Sequence, residues 1–315
     1  MILLLTACFT LDPLVHNNKH CSTTGPDEPS CVDANNEWDA ACLACEDDYV
    51  WNKDYPYFEG QLEGLEVLAP DPDALTIEGL ETEDGEGVLE TVFVPGHGDN
   101  ADITILMNHG NYVGIEHYIP HVRYFHTGGY SVLIWDYRGY GKSEPSSAPT
   151  GSQWMSDARQ VRDYADTIAP DPDRIVLFAV SLGGIPAVEM GVYDPGCAMI
   201  LQAPFTSIES VSAENNGVAL PGQFLTEGHF ENHLKIQDYD APLFVMIGTE
   251  DVKFSVESVT ELHDNAGTPD AQKKLWVVEG VGHGISDVGI AEWSTNRWLE
   301  EIDSFLDNEG SACRP

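Results

Sequence analysis

The sequence predicts an α/β fold: a mostly parallel central sheet with helices on both faces and a small cap. Short apolar, β-branched runs alternate with helix-like segments along residues 75–306. The runs are apolar enough to be buried on both faces of a sheet, as parallel strands are. A chain of 315 residues can hold one such domain with an ample core, plus an appendage.

Taken in order, the chain begins Met1-Ile-Leu-Leu-Leu-Thr-Ala-Cys8, and residues 1–15 read as a leader and tether. Leu5-Thr6-Ala7-Cys8 resembles a bacterial lipobox, where cleavage precedes a Cys that is then acylated. The resemblance implies lipidation at Cys8 and membrane attachment through it, because more than one acyl chain anchors stably. It also implies export, as a bacterial cell-envelope lipoprotein or a secreted protein. The apolar run is short for a signal peptide, and no Lys or Arg precedes it. An upstream start and a chance match both stay open. The run is too short to span a membrane.

Residues 16–60 form a Cys-rich acidic extension holding Cys21, Cys31, Cys42 and Cys45. So little apolar content needs staples, and disulfides are the natural ones. Cys42-Leu-Ala-Cys45 as half a zinc site or a redox pair ranks lower, since no second Cys-x-x-Cys and no thioredoxin-like strand accompany it. Trp38, Trp51, Tyr55, Tyr57 and Phe58 are candidates to pack the extension on the core. Cys197 and Cys313 could pair across the domain or stay free.

Residues 61–315 form the α/β domain, entered through an acidic linker at Gln61–Asp73. Strands are expected at Leu75–Glu81, Val88–Val94, Ile103–Met107, Tyr130–Trp135, Arg174–Val180, Ala198–Gln202, Leu243–Ile247 and Lys274–Val278. The first two read as an antiparallel hairpin turning at Glu83-Asp84-Gly85-Glu86-Gly87. Helices are expected near Ile115–His126, Ser152–Ile168, Leu182–Tyr193, Val256–Asn265 and Ile290–Leu306. Between them, residues 207–240 carry Val218, Leu220, Phe224, Leu225 and Phe230 and read as a small cap walling one side of a substrate site.

Chemistry concentrates at the ends of the predicted strands, where open α/β sheets bind ligands. Ala179-Val-Ser181-Leu-Gly183 is a small-x-Ser-x-Gly turn between a buried strand and a helix. Its small residues let the turn close tightly and stand the hydroxyl at a helix N-terminus, where free N–H groups meet a developing oxyanion. Asn108-His109-Gly110-Asn111 follows an upstream strand and is a candidate to supply a second N–H, from Asn111, beside that of Leu182. Gly248-Thr-Glu-Asp251 and Gly282-His283-Gly284 end two downstream strands. A Ser hydroxyl needs an imidazole to take its proton, and the imidazole needs a carboxylate to hold its tautomer. The candidates are therefore Ser181 as nucleophile, His283 as base and Asp251 as acid. Asp251 is preferred over Glu250 for its shorter side chain and its place after Thr249. His109 reads as a structural residue of its turn. The i, i+4 pairs His117/His121 and His229/His233 lack an obvious carboxylate or thiol partner, so no metal is expected, and no cofactor.

Trp135-Asp136-Tyr137-Arg138-Gly139-Tyr140-Gly141-Lys142-Ser143 resembles the Asp-Tyr-Arg-Gly-Tyr-Gly-x-Ser segment of small-lid α/β-hydrolases, the ABHD-type serine hydrolases and their bacterial relatives. His109-Gly-Asn111, Ser181-Leu-Gly-Gly184, Gly248-Thr-Glu-Asp251 and Gly282-His283 match the same family in order and spacing, across about Leu75 to Leu306. The resemblance implies the α/β-hydrolase fold, the Ser181–His283–Asp251 triad and oxyanion N–H groups from Asn111 and Leu182. Asp136 and Arg138 read as structural residues of their loop. Ala179 stands where the family usually has Gly, and Asn111-Tyr-Val-Gly114 is bulkier than usual, which narrows the acyl site.

Acidic residues outnumber basic ones 53 to 14, giving a net charge of −39, so binding to nucleic acid phosphate is disfavoured. The favoured function is hydrolysis of carboxylic esters or thioesters of a small-molecule or acylated substrate. An aminopeptidase-type serine peptidase is the alternative, with Glu214, Glu227 and Glu231 as candidates to hold a substrate N-terminus. A non-catalytic surface lipoprotein is the other, against which the complete triad argues. The self-repulsion of such an acidic chain is screened by salt. Its thermal midpoint should therefore rise between low salt and roughly 1 M, where the Debye length is about 3 Å. Differential scanning fluorimetry across a salt series checks this.

Overall fold

Eight apolar runs of five to seven residues become the strands of one sheet: β1 Thr76–Glu81, β2 Val88–Val94, β3 Thr104–Asn108, β4 Ser131–Trp135, β5 Ile175–Val180, β6 Ala198–Gln202, β7 Leu243–Gly248 and β8 Lys273–Val278. These bounds come from a computed structural model, which describes residues 70–71, 74–111, 114–145, 149–210, 230–285 and 295–314. Each strand lies within one residue of its expected bounds. Cys8, the extension at 16–60 and cap residues 211–229 lie outside the described residues.

The strand order is β1-β2-β4-β3-β5-β6-β7-β8. β2 pairs antiparallel with β1, as the expected hairpin, and also with β4. Every other pairing is parallel. The strands from β3 to β7 are buried at every residue. The edge strands β1 and β8 carry Glu or Lys among their apolar residues and are partly exposed. An edge tolerates such a mixture because one side of it meets water.

Among the described residues the α-helices are α1 Ile119–Thr127, α2 Gly151–Ile168, α3 Gly184–Tyr193, α4 Asn232–Lys235, α5 Val256–Asn265 and α6 Thr295–Asp307. Alternate strand residues point to opposite faces, and two cores result. On one face Met107, Ile134, Val176 and Phe178 pack with Val122 and Phe125 of α1 and Trp298 and Ile302 of α6. On the other, Leu106, Leu133 and Leu177 pack with Trp154 and Val161 of α2, Ile185 of α3 and Val259 of α5. Cys197 and Cys313 form a disulfide with Cα atoms 5.3 Å apart, joining the start of β6 to the turn after α6.

Three helix boundaries differ from expectation. Residues Ile115–Tyr118 form a 3₁₀ turn, and α1 starts beyond it with Pro120 in its first turn, where a missing N–H costs nothing. Ser181–Gly183 is likewise a 3₁₀ turn, so α3 starts at Gly184. The last helix starts at Thr295, residues 286–294 lying outside the described ones. The short α4 had no periodic signal.

Arg138 ties the hairpin to the body of the domain. It is buried, and its guanidinium binds Asp157 of α2 at 2.8 Å twice and Asp84 of the β1–β2 turn at 2.9 Å twice. Such bidentate pairs are strong and geometrically demanding. The Arg138 guanidinium, with the Thr82 hydroxyl and the Glu86 N–H, holds the Asp84 carboxyl well below the usual carboxylate range. Arg138→Ala leaves Asp157 buried without its counter-charge and should lower stability by about 3–5 kcal/mol, read from urea denaturation. Because the Asp84 value is depressed on folding, its contribution is complete above about pH 3.9 and is lost as pH falls through the folded value. Wild type should therefore lose stability more steeply than Asp84→Asn below about pH 4, in denaturation curves taken across pH.

Candidate active site

Four loops meet at the C-terminal edge of the parallel strands. β5 ends in the tightest of them. Ser181 has φ 54°, a left-handed conformation that costs a non-glycine residue about 1–3 kcal/mol. The turn closes because Gly183 has no side chain: a Cβ there would come within 2.2 Å of the Asn108 carbonyl oxygen and 2.6 Å of that of His109. The Ser181 turn is thus pressed against the end of β3. The Ser181 carbonyl accepts the Phe205 N–H at 2.9 Å, and the Ser181 and Leu182 side chains are both largely buried.

The loop after β3 carries His109, Gly110 and Asn111. His109 is fully buried, stacked on Tyr137 at 4.1 Å and on Tyr118 at 5.5 Å. Its Nδ1 lies 2.8 Å from the Gly110 carbonyl oxygen, and its Nε2 3.4 Å from Asp136. These contacts use the imidazole to shape the turn. A Cβ on Gly110 would lie 3.4 Å from the Cβ of Ser181, so Asn111 follows directly on the residue facing the Ser181 turn.

The loops after β7 and β8 are zipped together. The Thr249 N–H donates to the Val278 carbonyl at 2.9 Å and the Glu250 N–H to that of Val281 at 2.8 Å. Gly248 permits this approach, since a Cβ there would stand 2.0 Å from the Val281 oxygen. Asp251 Oδ2 then lies 2.8 Å from His283 Nδ1. Asp251 Oδ1 accepts the N–H of Lys253 at 2.7 Å and that of Phe254 at 3.1 Å. Glu250, the rival carboxylate, is exposed. Burial pushes the Asp251 carboxyl up, but the hydrogen bond and charge of His283 and the two backbone N–H groups outweigh it. The net position is below the usual carboxylate range. The Asp251 side chain is 0% exposed, while that of His283 is 20% exposed.

The structure therefore joins Asp251 to His283 and sets Ser181 and the Asn111 loop along the same edge. Among the described residues, no hydrogen bond joins Ser181 Oγ to His283. An aromatic wall runs between them: Phe205, bonded to the Ser181 carbonyl, lies 6.2 Å from the Phe254 ring, which lies 5.4 Å from the imidazole of His283. No pattern in the sequence marked Phe205 or Phe254. Phe230, expected in the cap, is buried 5.9 Å from Trp154.

The remaining histidines take other places. His121 is buried in the core beside Phe178 and Trp298. His233 lies 3.5 Å from Glu231, one of the acids considered for a substrate amine. His229, Glu214 and Glu227 lie outside the described residues. Among the described residues, no group of three or more His, Cys, Asp or Glu is placed to hold a metal.

Comparison with known proteins agrees with this architecture. A family model described as serine aminopeptidase, S33, matches residues 99–227. The chain is 35% identical over 159 residues to an uncharacterized protein of Mycobacterium tuberculosis, covering 50% of this chain and 54% of the relative, about half its length. It is 28% identical over 218 residues to the human alpha/beta hydrolase domain-containing protein 17B, covering 67% of this chain and 68% of that one. The fold is similar to that of the Pyrococcus furiosus esterase Pf2001, with TM-score 0.59, 21% identity, and coverage of 74% of this chain and 92% of that one. With the sheet order, the Ser181 turn and the paired loops after β7 and β8 already in place, these likenesses show that the chain has the α/β-hydrolase fold.

Proposed function

We propose that the protein is a serine hydrolase that cleaves carboxylic ester or thioester bonds through an acyl-enzyme. The observation that carries this is the 2.8 Å contact of Asp251 with His283 beside a left-handed Ser181 on one sheet edge. In this reading the His283 Nδ1–H donates a hydrogen bond to Asp251, which leaves Nε2 free to accept. Nε2 takes the Ser181 proton as Oγ attacks the acyl carbon. The N–H groups of Leu182 and Asn111 stabilise the oxyanion. The intermediate collapses, the C–O or C–S bond breaks, and the imidazolium protonates the departing alcohol or thiol. Water, activated by the same imidazole, then attacks the acyl-enzyme and releases the acid, restoring Ser181.

The depressed Asp251 carboxyl suits this role, since the acid must stay ionised while His283 gains a proton. Likeness to an esterase fold favours a small-molecule or acylated ester as substrate. The matching family model is named for an aminopeptidase, so amides belong in any substrate panel. The Cys197–Cys313 disulfide supports export, because such bonds persist in oxidising compartments. Lipidation at Cys8 would add membrane attachment to that reading.

A fluorophosphonate probe should label wild type and fail to label Ser181→Ala. Asp251→Asn should fold and lose roughly 10⁴-fold in kcat, the cost of holding the imidazole in the wrong tautomer. A panel of p-nitrophenyl esters, acyl thioesters and aminoacyl amides should show turnover of esters or thioesters ahead of amides. No labelling of folded wild type at low or high salt would sink the catalytic reading in favour of a non-catalytic surface protein.

A further inference from the structure

The chain after β3 leaves the sheet at Asn108, whose partner Ala179 is the last in that ladder. From His109 onward, other contacts must aim the backbone. They come from the loop after β4. The Tyr137 hydroxyl donates to the His109 carbonyl at 2.6 Å. The Tyr140 hydroxyl donates to Asn111 Oδ1. Asp136 Oδ1 accepts the Ile115 N–H at 2.9 Å. One loop thus grips the other at His109, at Asn111 and at Ile115.

The gripping loop is itself rigid. Its Tyr140 N–H donates to the Tyr137 carbonyl at 2.9 Å, and the Ser143 N–H to the Tyr140 carbonyl at 3.0 Å. The Ser143 hydroxyl donates back to the Asp136 carbonyl at 2.6 Å. Tyr137 and Tyr140 are fully buried, and Tyr137 packs at 5.1 Å on Trp154 of α2.

We infer that Tyr140 is a positioning residue for the oxyanion hole: its phenol, by holding the Asn111 side chain, sets the direction of the Asn111 backbone N–H. The inference rests on the reading of Asn111 as an oxyanion donor. Asn has only two side-chain torsions, so fixing Oδ1 restrains the Cα to which the amide is joined. A donor is effective only when pre-aimed at the oxygen that becomes negative, so a small misdirection is felt in the transition state and not in substrate binding.

The test is a two-by-two set: wild type, Tyr140→Phe, Asn111→Ala and the double variant, each assayed on a p-nitrophenyl ester and unfolded in urea. Tyr140→Phe keeps the buried ring. It should lower kcat roughly 10- to 100-fold with KM unchanged and a urea midpoint near that of wild type. Asn111→Ala should do the same. The double variant should be no slower than the slower single variant, because both remove one hydrogen bond. Wild-type kcat in Tyr140→Phe, or losses that multiply in the double variant, would overturn the proposal while leaving the hydrolase reading intact. If Tyr140→Phe fails to fold, Asn111→Ala carries the test, and an unchanged kcat there overturns it. Wild type that turns over none of the panel overturns the hydrolase reading and this proposal together.

Discussion

The left-handed backbone of Ser181 is the constraint on which the candidate site depends. A residue with a Cβ does not rest there unless its surroundings leave no alternative. Here they leave none. Before it, β5 is buried along its whole length and hydrogen-bonded to neighbours on both sides. After it, Gly183 sits against two carbonyls at the end of β3, and the Phe205 N–H holds the Ser181 carbonyl. The strain is local, and a continuous buried sheet supports it.

The same sheet edge explains why Asp251 and His283 meet. Asp251 and His283 are 32 residues apart, yet β7 and β8 are parallel neighbours, so their C-terminal loops emerge side by side. Backbone hydrogen bonds between those loops then hold both side chains in register. Two backbone N–H groups on Asp251 leave one carboxylate oxygen for the imidazole, which keeps the group ionised despite its burial. Geometry and charge state thus share one cause, the packing of two short loops made possible by Gly248.

Away from the site, the domain is fastened by contacts that act on its periphery. Arg138 connects the β1–β2 turn to α2 through two carboxylates. Glu189 of α3 binds Lys235 of α4 at 2.5 Å and Arg159 of α2 at 2.6 Å. The disulfide joins β6 to the end of the chain. With 14 basic residues against 53 acidic ones, cations are scarce, and several are spent on carboxylates that link separate elements.

The amino-acid sequence by itself determined the strands and the hairpin, and it named the residues of the candidate site. Burial on both faces leaves long apolar runs, and a tight strand-to-helix turn leaves a small-x-Ser-x-Gly string, so both are written in neighbouring residues. Asp251 was preferred to Glu250 for its shorter side chain and its match to the family loop, and Asp251 is the one that contacts His283 while Glu250 is exposed. The tertiary structure alone decided the strand order, the partners of Arg138, the wall of Phe205 and Phe254, the disulfide and the grip of Tyr140 on Asn111. It also placed His121 in the core, where spacing alone had left a metal to be considered. The physical reason is common to all of these. Periodicity and turn chemistry report what a residue does with its near neighbours, whereas these contacts join residues far apart in the chain, from 19 positions for Arg138 and Asp157 to 177 for His121 and Trp298, that only the packed sheet brings together.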